Sequence, residues 1–157
     1  MRYVRRISGL AEEEAKDILQ EAFIKIWRNL NEYDTDLKLS SWIYRIVHNE
    51  TISYWRKSKS HDKDQTLSLD DEFIEYEDPG QVENDSNPDP NEKIEKVLDS
   101  LPLKYREVLT LKFLEKMSYG EVSDVLKIPE GTVATRINRA KKLFIKVAGE
   151  RRIHFFE

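Results

Sequence analysis

The stretch SYGEVSDVLKIPEGTVATRINRAKK, residues 118–142, decides the fold. Ser118 followed three residues later by Glu121 is a capping box, in which each side chain satisfies the other residue's backbone N–H at a helix start. Val122, Val125 and Leu126 then fall on one face of a short helix. Ile128-Pro129-Glu130-Gly131-Thr132 predicts a tight turn, with proline near the start of the next helix. Val133, Ile137, Ala140, Leu143, Phe144 and Val147 follow at three- and four-residue steps, the period of an amphipathic helix. A short capped helix, a tight turn and a longer basic helix make a helix-turn-helix pattern.

At about 100° per residue, Ala134, Thr135, Asn138, Arg139, Lys142 and Lys146 form a stripe opposite that apolar face, flanked by Arg136 and Lys141. A major groove needs such a face, with small or polar residues near base edges and arginine or lysine reaching guanine or phosphate. The plainer reading is a solvated helix with ordinary lysines. The capped helix and turn that precede it favour recognition.

Working outward, Ile94, Val97, Leu98 and Leu101 precede Pro102, and Tyr105, Val108, Leu109, Leu111 and Phe113 give another helix. Before them lies a different composition. Residues 62–92 carry a net charge of −11, against +2 for residues 1–61 and +5 for residues 93–157. Asp78-Pro79-Gly80 and Asn87-Pro88-Asp89-Pro90 punctuate that block, which cannot bury enough apolar surface to offset its ordering entropy and reads as a flexible acidic linker. The whole-chain net of −4 therefore hides two basic blocks on a tether, and acidity does not argue against nucleic acid.

The first block is helical as well. Ala15, Ile18, Leu19, Ala22, Phe23, Ile26, Trp27 and Leu30 recur on one broad face, and Ser40 or Ser41 can cap a second helix with Trp42, Ile43, Ile46, Val47 and Tyr54 inward. Its other side presents Tyr44, Arg45, His48, Asn49 and Arg56. Aromatics interleaved with basic residues suit stacking on unpaired bases. Tryptophan at an inward position is more often core, so Trp27 and Trp42 are assigned there, while Tyr33, Tyr44 and Trp55 stay open.

Much is excluded. There is no cysteine, and with 5 glycines no phosphate-binding loop is readable. No apolar run reaches the roughly 20 residues of a membrane span, and the N-terminus lacks the apolar stretch of a signal peptide, so a cytoplasmic chain without membrane insertion is expected. Glu13, Asp17 and Glu21 stack at four-residue spacing, but without a Glu-x-x-His partner and with scattered histidines they predict no metal site. No cofactor and no enzyme activity are expected.

Several segments then resemble one family. Residues 15–27 (AKDILQEAFIKIW) are similar to the polymerase-binding helix of bacterial RNA polymerase sigma subunits, and residues 41–49 (SWIYRIVHN) to their promoter-melting segment. Residues 101–109 (LPLKYREVL) and 131–140 (GTVATRINRA) resemble their fourth domain. Domains two and four without a third point to the extracytoplasmic-function (ECF) group. The resemblance implies an all-α chain of two small helical domains, with domain two at 1–61, an acidic flexible linker at 62–92 and domain four at 93–157.

It also implies roles. Asp17, Gln20, Glu21 and Ile24 would contact the clamp helices of the largest polymerase subunit, and domain four the flap of the second-largest. Tyr33, the loop to Leu39, and Asn49 would hold a base flipped from the minus-ten element, with Tyr44, Arg45, Arg56 and Lys57 along the melted strand. Thr132, Ala134, Thr135, Asn138, Arg139 and Lys142 would face the minus-thirty-five element as duplex. Core RNA polymerase and promoter DNA are the implied partners, with an anti-sigma factor as an optional one. Family members usually carry another helical turn or more before Tyr3, so domain two is expected to be short at its start. Ser41 stands where housekeeping sigma subunits place a second tryptophan, which implies weaker melting and a stricter promoter requirement. The alternative from another class is a free-standing helix-turn-helix regulator that binds a palindrome as a dimer.

Overall fold

The computed structural model describes residues 1–60, 90–151 and 153. Most of the expected linker lies outside the described residues. The described residues form seven α-helices and no strand: α1 (Arg2–Ser8), α2 (Glu12–Arg28), α3 (Leu39–Ser60), α4 (Pro90–Asp99), α5 (Leu103–Leu109), α6 (Tyr119–Leu126) and α7 (Glu130–Glu150). A 3₁₀ turn at Leu30–Glu32 follows α2, and α5 runs on into a π turn at Thr110–Leu114.

The capping box at 118–121 is formed as the sequence predicts. Ser118 Oγ accepts from the Glu121 N–H at 3.2 Å, and Glu121 Oε2 accepts from the Ser118 N–H at 2.8 Å. Removing such a cap costs about 1 kcal/mol. The helix it opens ends on Lys127 in the left-handed region (φ 56°), which turns the chain sharply into α7. Val122 and Val125 of α6 and Val133, Ile137 and Ala140 of α7 are buried together with Val108 and Leu111. Each large aliphatic so placed contributes about 1.5–3 kcal/mol relative to exposure.

A second core joins Val4, Ala15 and Ile18, with Leu19, Val47 and Tyr54 around it, and holds α1, α2 and α3 together. The two cores share α1 as a wedge. Val4 points into the second core, while Tyr3 and Ile7 belong to the first, among Leu98, Leu101 and Val108. Gly9 (φ 67°) then turns the chain toward α2, its N–H bonded to the Arg5 carbonyl at 2.8 Å.

Three expectations are corrected. Trp27 is not core but 80% exposed, and Phe23 and Leu30 are exposed with it, because α3 covers only the part of α2 centred on Ala15, Ile18 and Ala22. Helix α3 begins at Leu39, so Ser40 and Ser41 lie inside its first turn and do not cap it; Ser41 is buried. His48, expected on an outer face, is buried, because the C-terminal helices cover that side of α3.

Candidate nucleic-acid interface

Helix α7 presents the stripe that the sequence predicts. Thr135, Asn138, Arg139 and Lys142 are exposed along it, with Thr132 and Ala134 half-buried at its start. Thr135 Oγ1 donates back to the Gly131 carbonyl at 2.9 Å, which orients its methyl group and hydroxyl at the helix's leading end. Lys141 lies over the Phe113 ring, 5.0 Å from its centroid. Arg136, on the flank, turns away from the stripe to Glu107 Oε1 at 3.4 Å. The exposed stripe thus holds Arg139 and Lys142 as outward cations, beside polar groups small enough to approach base edges.

Helix α3 carries the second set. Arg45, Asn49 and Arg56 are spaced by four and seven residues, so they share one stripe; Arg45 is half-buried, and Asn49, Arg56 and Lys57 are exposed. Tyr33 is half-buried at the near end. Its hydroxyl donates to the Leu37 carbonyl, which ties the loop, and its ring packs 5.4 Å from that of buried Trp42. Tyr44 does not join the stripe. It turns under the C-terminal half, where its hydroxyl donates to Glu115 Oε2 at 2.5 Å, and burial with that carboxylate pushes its pKa up to about 12.

Next to Tyr44 is a buried polar group that sequence reading missed. The Tyr3 hydroxyl meets His48 Nδ1 at 2.9 Å, and His48 Nε2 lies 3.6 Å from Glu107 Oε2. Burial pushes the imidazole down to about 4, with nearby Arg56 adding to the effect. Burial pushes the Glu107 carboxyl up to about 7, although Arg136 and Arg56 pull the other way. A histidine and a glutamate are thus both biased toward their neutral forms. The available signal was Glu107, a charged residue between Arg106 and Val108 on a helix that the apolar pattern places inside.

On α2, Asp17, Gln20, Glu21 and Ile24 are all exposed and share one side of the helix. Phe23 and Trp27 extend that side into an apolar ridge. Among the described residues no group of His, Asp and Glu is gathered to hold a metal ion, and no helix is long and apolar enough to cross a membrane.

Residues 1–61 match the family model for sigma-70 region 2, and residues 91–144 that for sigma-70 region 4. The chain is 35% identical over 139 residues to the ECF RNA polymerase sigma factor SigW of Bacillus subtilis, covering 85% of this chain and 74% of that protein. It is 30% identical over 158 residues to the ECF RNA polymerase sigma-E factor of Escherichia coli, covering 90% of this chain and 80% of that one. Two solved structures share the fold at 21% identity. The sigma factor RpoE of Bartonella quintana, in complex with the anti-sigma factor NepR, superposes with a TM-score of 0.69 over 94% of this chain and 88% of its own. CnrH, in complex with the cytosolic domain of CnrY, gives 0.65 over 94% and 79%.

Proposed function

Since the chain belongs to the extracytoplasmic-function sigma factors, which direct RNA polymerase to initiate transcription at promoters, we propose how its surfaces divide that task. Domain four, residues 93–157, reads the minus-thirty-five element as duplex through Thr132, Ala134, Thr135, Asn138, Arg139 and Lys142. Domain two, residues 1–61, docks on the polymerase clamp helices through Asp17, Gln20, Glu21 and Ile24. It takes the melted minus-ten strand along Tyr33, Arg45, Asn49, Arg56 and Lys57, while Tyr44, expected among them, is turned away onto Glu115. The acidic stretch 62–92 connects the two, its last residues, from Pro90 on, belonging to α4 and not to the expected linker. The protein's work is recognition; the polymerase does the chemistry, in the cytoplasm where the template lies.

The observation that carries this reading is the exposed, cation-bearing stripe of α7 behind a capped helix and a sharp turn. Sigma regions 2 and 4 matched in one chain displace the dimeric-regulator alternative. One structural neighbour, the sigma factor RpoE, is in complex with the anti-sigma factor NepR, and an anti-sigma factor is proposed for this chain by that likeness.

Run-off transcription with core polymerase on genomic fragments supplies a promoter, and that promoter supplies the test. Arg139→Ala is expected to weaken recognition of the upstream element by about 1–3 kcal/mol, and to relax preference at one base position. Lys146→Ala, toward the phosphate-facing end, is expected to weaken all sequences alike and to flatten the salt dependence. Intact upstream-element binding by Arg139→Ala would put the wrong face of α7 in the groove.

A further inference from the structure

Helix α7 opens on Glu130, an acid at the head of a helix whose other charged residues, as far as Lys146, are all cations. Glu130 is exposed and pairs with no cation among the described residues. Its carboxylate lies beside Gly120, in the first turn of α6. A Cβ built on that glycine would stand 3.4 Å from Glu130 Oε1 and 3.8 Å from Glu130 Cδ. Gly120 is helical and has no positive φ, so the backbone does not call for glycine there, and glycine is less favourable than alanine inside a helix. What the missing side chain does is leave the Glu130 head group uncrowded.

A glutamate in a first turn also favours the helix start. That accounts for an acid at this position, but not for the space cleared beside it. In a helix-turn-helix the leading residues of the second helix meet base edges while the first helix crosses the backbone. A carboxylate carried into that place is opposed by the phosphates and needs a donor in return. In the major groove cytosine offers its N4 amino group, whereas guanine and thymine offer only acceptors. Adenine has an amino group too, but sets the N7 lone pair beside it, against the same carboxylate. A carboxylate here therefore turns away three bases of the four, and repulsion of wrong partners is itself specificity.

The neighbours suit that role. Ala134, one turn on, ends at its Cβ and lets a duplex come within reach of the short glutamate stem. The Thr135 hydroxyl is spent on the Gly131 carbonyl at 2.9 Å and leaves its methyl group for a thymine or a sugar.

We infer that Glu130 selects one cytosine in the upstream promoter element by accepting a hydrogen bond from its N4 amino group, in the space that Gly120 leaves open. The inference rests on the reading that α7 lies in the major groove. It adds to Arg139 and its neighbours a residue that sets base identity at the cost of some general affinity.

The test uses holoenzyme reconstituted from core RNA polymerase and the full chain. It is offered promoters randomised in the upstream element and fixed elsewhere, and the bound fraction is sequenced. The wild type is expected to show a position where cytosine is preferred about ten-fold. Glu130→Ala is expected to flatten that position and no other. Glu130→Gln is expected to move it to adenine, because a carboxamide pairs with N6 and N7 together. In a second measurement that cytosine is replaced by 2-pyrimidinone, which lacks the amino group. The wild type is expected to lose about ten-fold more affinity than Glu130→Ala, whose own loss registers the weaker base pairing.

A wild type without a cytosine position, a Glu130→Ala profile that keeps one, or an equal loss on 2-pyrimidinone by both proteins overturns the inference. So does weakening by Glu130→Ala that is uniform across sequences, the mark of a residue that only starts the helix. Arg139→Ala in the same library guards the underlying reading. If neither it nor the Glu130 variants alter any position, α7 is not in the groove and both readings fall. If Arg139→Ala relaxes its own position while the Glu130 profiles stay as in wild type, the cytosine contact alone is overturned.

Discussion

His48 and Glu107 are a matched pair of opposite titrations. The imidazole, held down to about 4 from an ordinary 6.5, favours the folded state above pH 6.5, and this contribution is lost as pH falls toward 4. The carboxyl, raised to about 7 from 4.5, behaves in reverse: its contribution is full below about pH 4.5 and is lost as pH rises toward 7. Between 4.5 and 6.5 the native pair takes up on one residue what it releases on the other, so the wild type is expected to show little dependence there. Single substitutions uncouple them. Glu107→Gln leaves the histidine, and its stability is expected to fall on acidification from pH 6.5 to 4.5. His48→Gln leaves the carboxyl, and its stability is expected to rise over the same interval, each by up to about 2–3 kcal/mol. The Tyr3 hydroxyl, which meets the His48 ring, is pushed up by burial and stays neutral throughout that range. Urea midpoints at five pH values decide it; parallel curves for the two variants would refute the pairing.

At the scale of the element, periodicity finds a face but not what covers it. The α6–α7 pair was legible because its signals are local: Ser118 and Glu121 cap each other three residues apart, and Pro129 fixes the turn within a few residues. Helix α2 shows where that stops. Measured from Ala15 at about 100° per residue, Phe23 and Trp27 lie about 80° and 120° around the helix. An apolar wheel admits both to the core, yet α3 reaches only the centre of the arc. The ridge they form runs beside Asp17, Gln20, Glu21 and Ile24, so the surface proposed for polymerase is more apolar than the matched residues alone suggest. Trp27→Ala is accordingly expected to change stability by no more than about 0.5 kcal/mol, the usual range for surface positions. If the ridge is part of the docking surface, the same change should weaken core polymerase by about 2 kcal/mol or more, as loss of an interface tryptophan does. Calorimetry and a polymerase competition assay separate the two; a large loss of stability would return Trp27 to the core.

For the whole molecule the hardest feature to read was the contact between its halves. Nothing in the spacing of α1 tells that Val4 enters one core while Tyr3 and Ile7 enter the other, since the partners of Ile7 lie some ninety residues along the chain, beyond the acidic block. Charge partition suggested independent units on a tether, and long-range packing is the term that composition does not carry. The wedge has a consequence for cooperativity. Ile7 is 1% exposed, and its truncation leaves a cavity in the core of the C-terminal half although the residue belongs to α1. Ile7→Ala is therefore expected to cost about 2–5 kcal/mol, and amides of α5 and α7 should exchange faster along with those of α1. Halves that fold independently predict the opposite pattern, in which protection in α7 stays at the wild-type level while only α1 to α3 loosen. Native-state hydrogen exchange reads each helix separately, so an unperturbed α7 would show that the seam adds nothing to the stability of the C-terminal core.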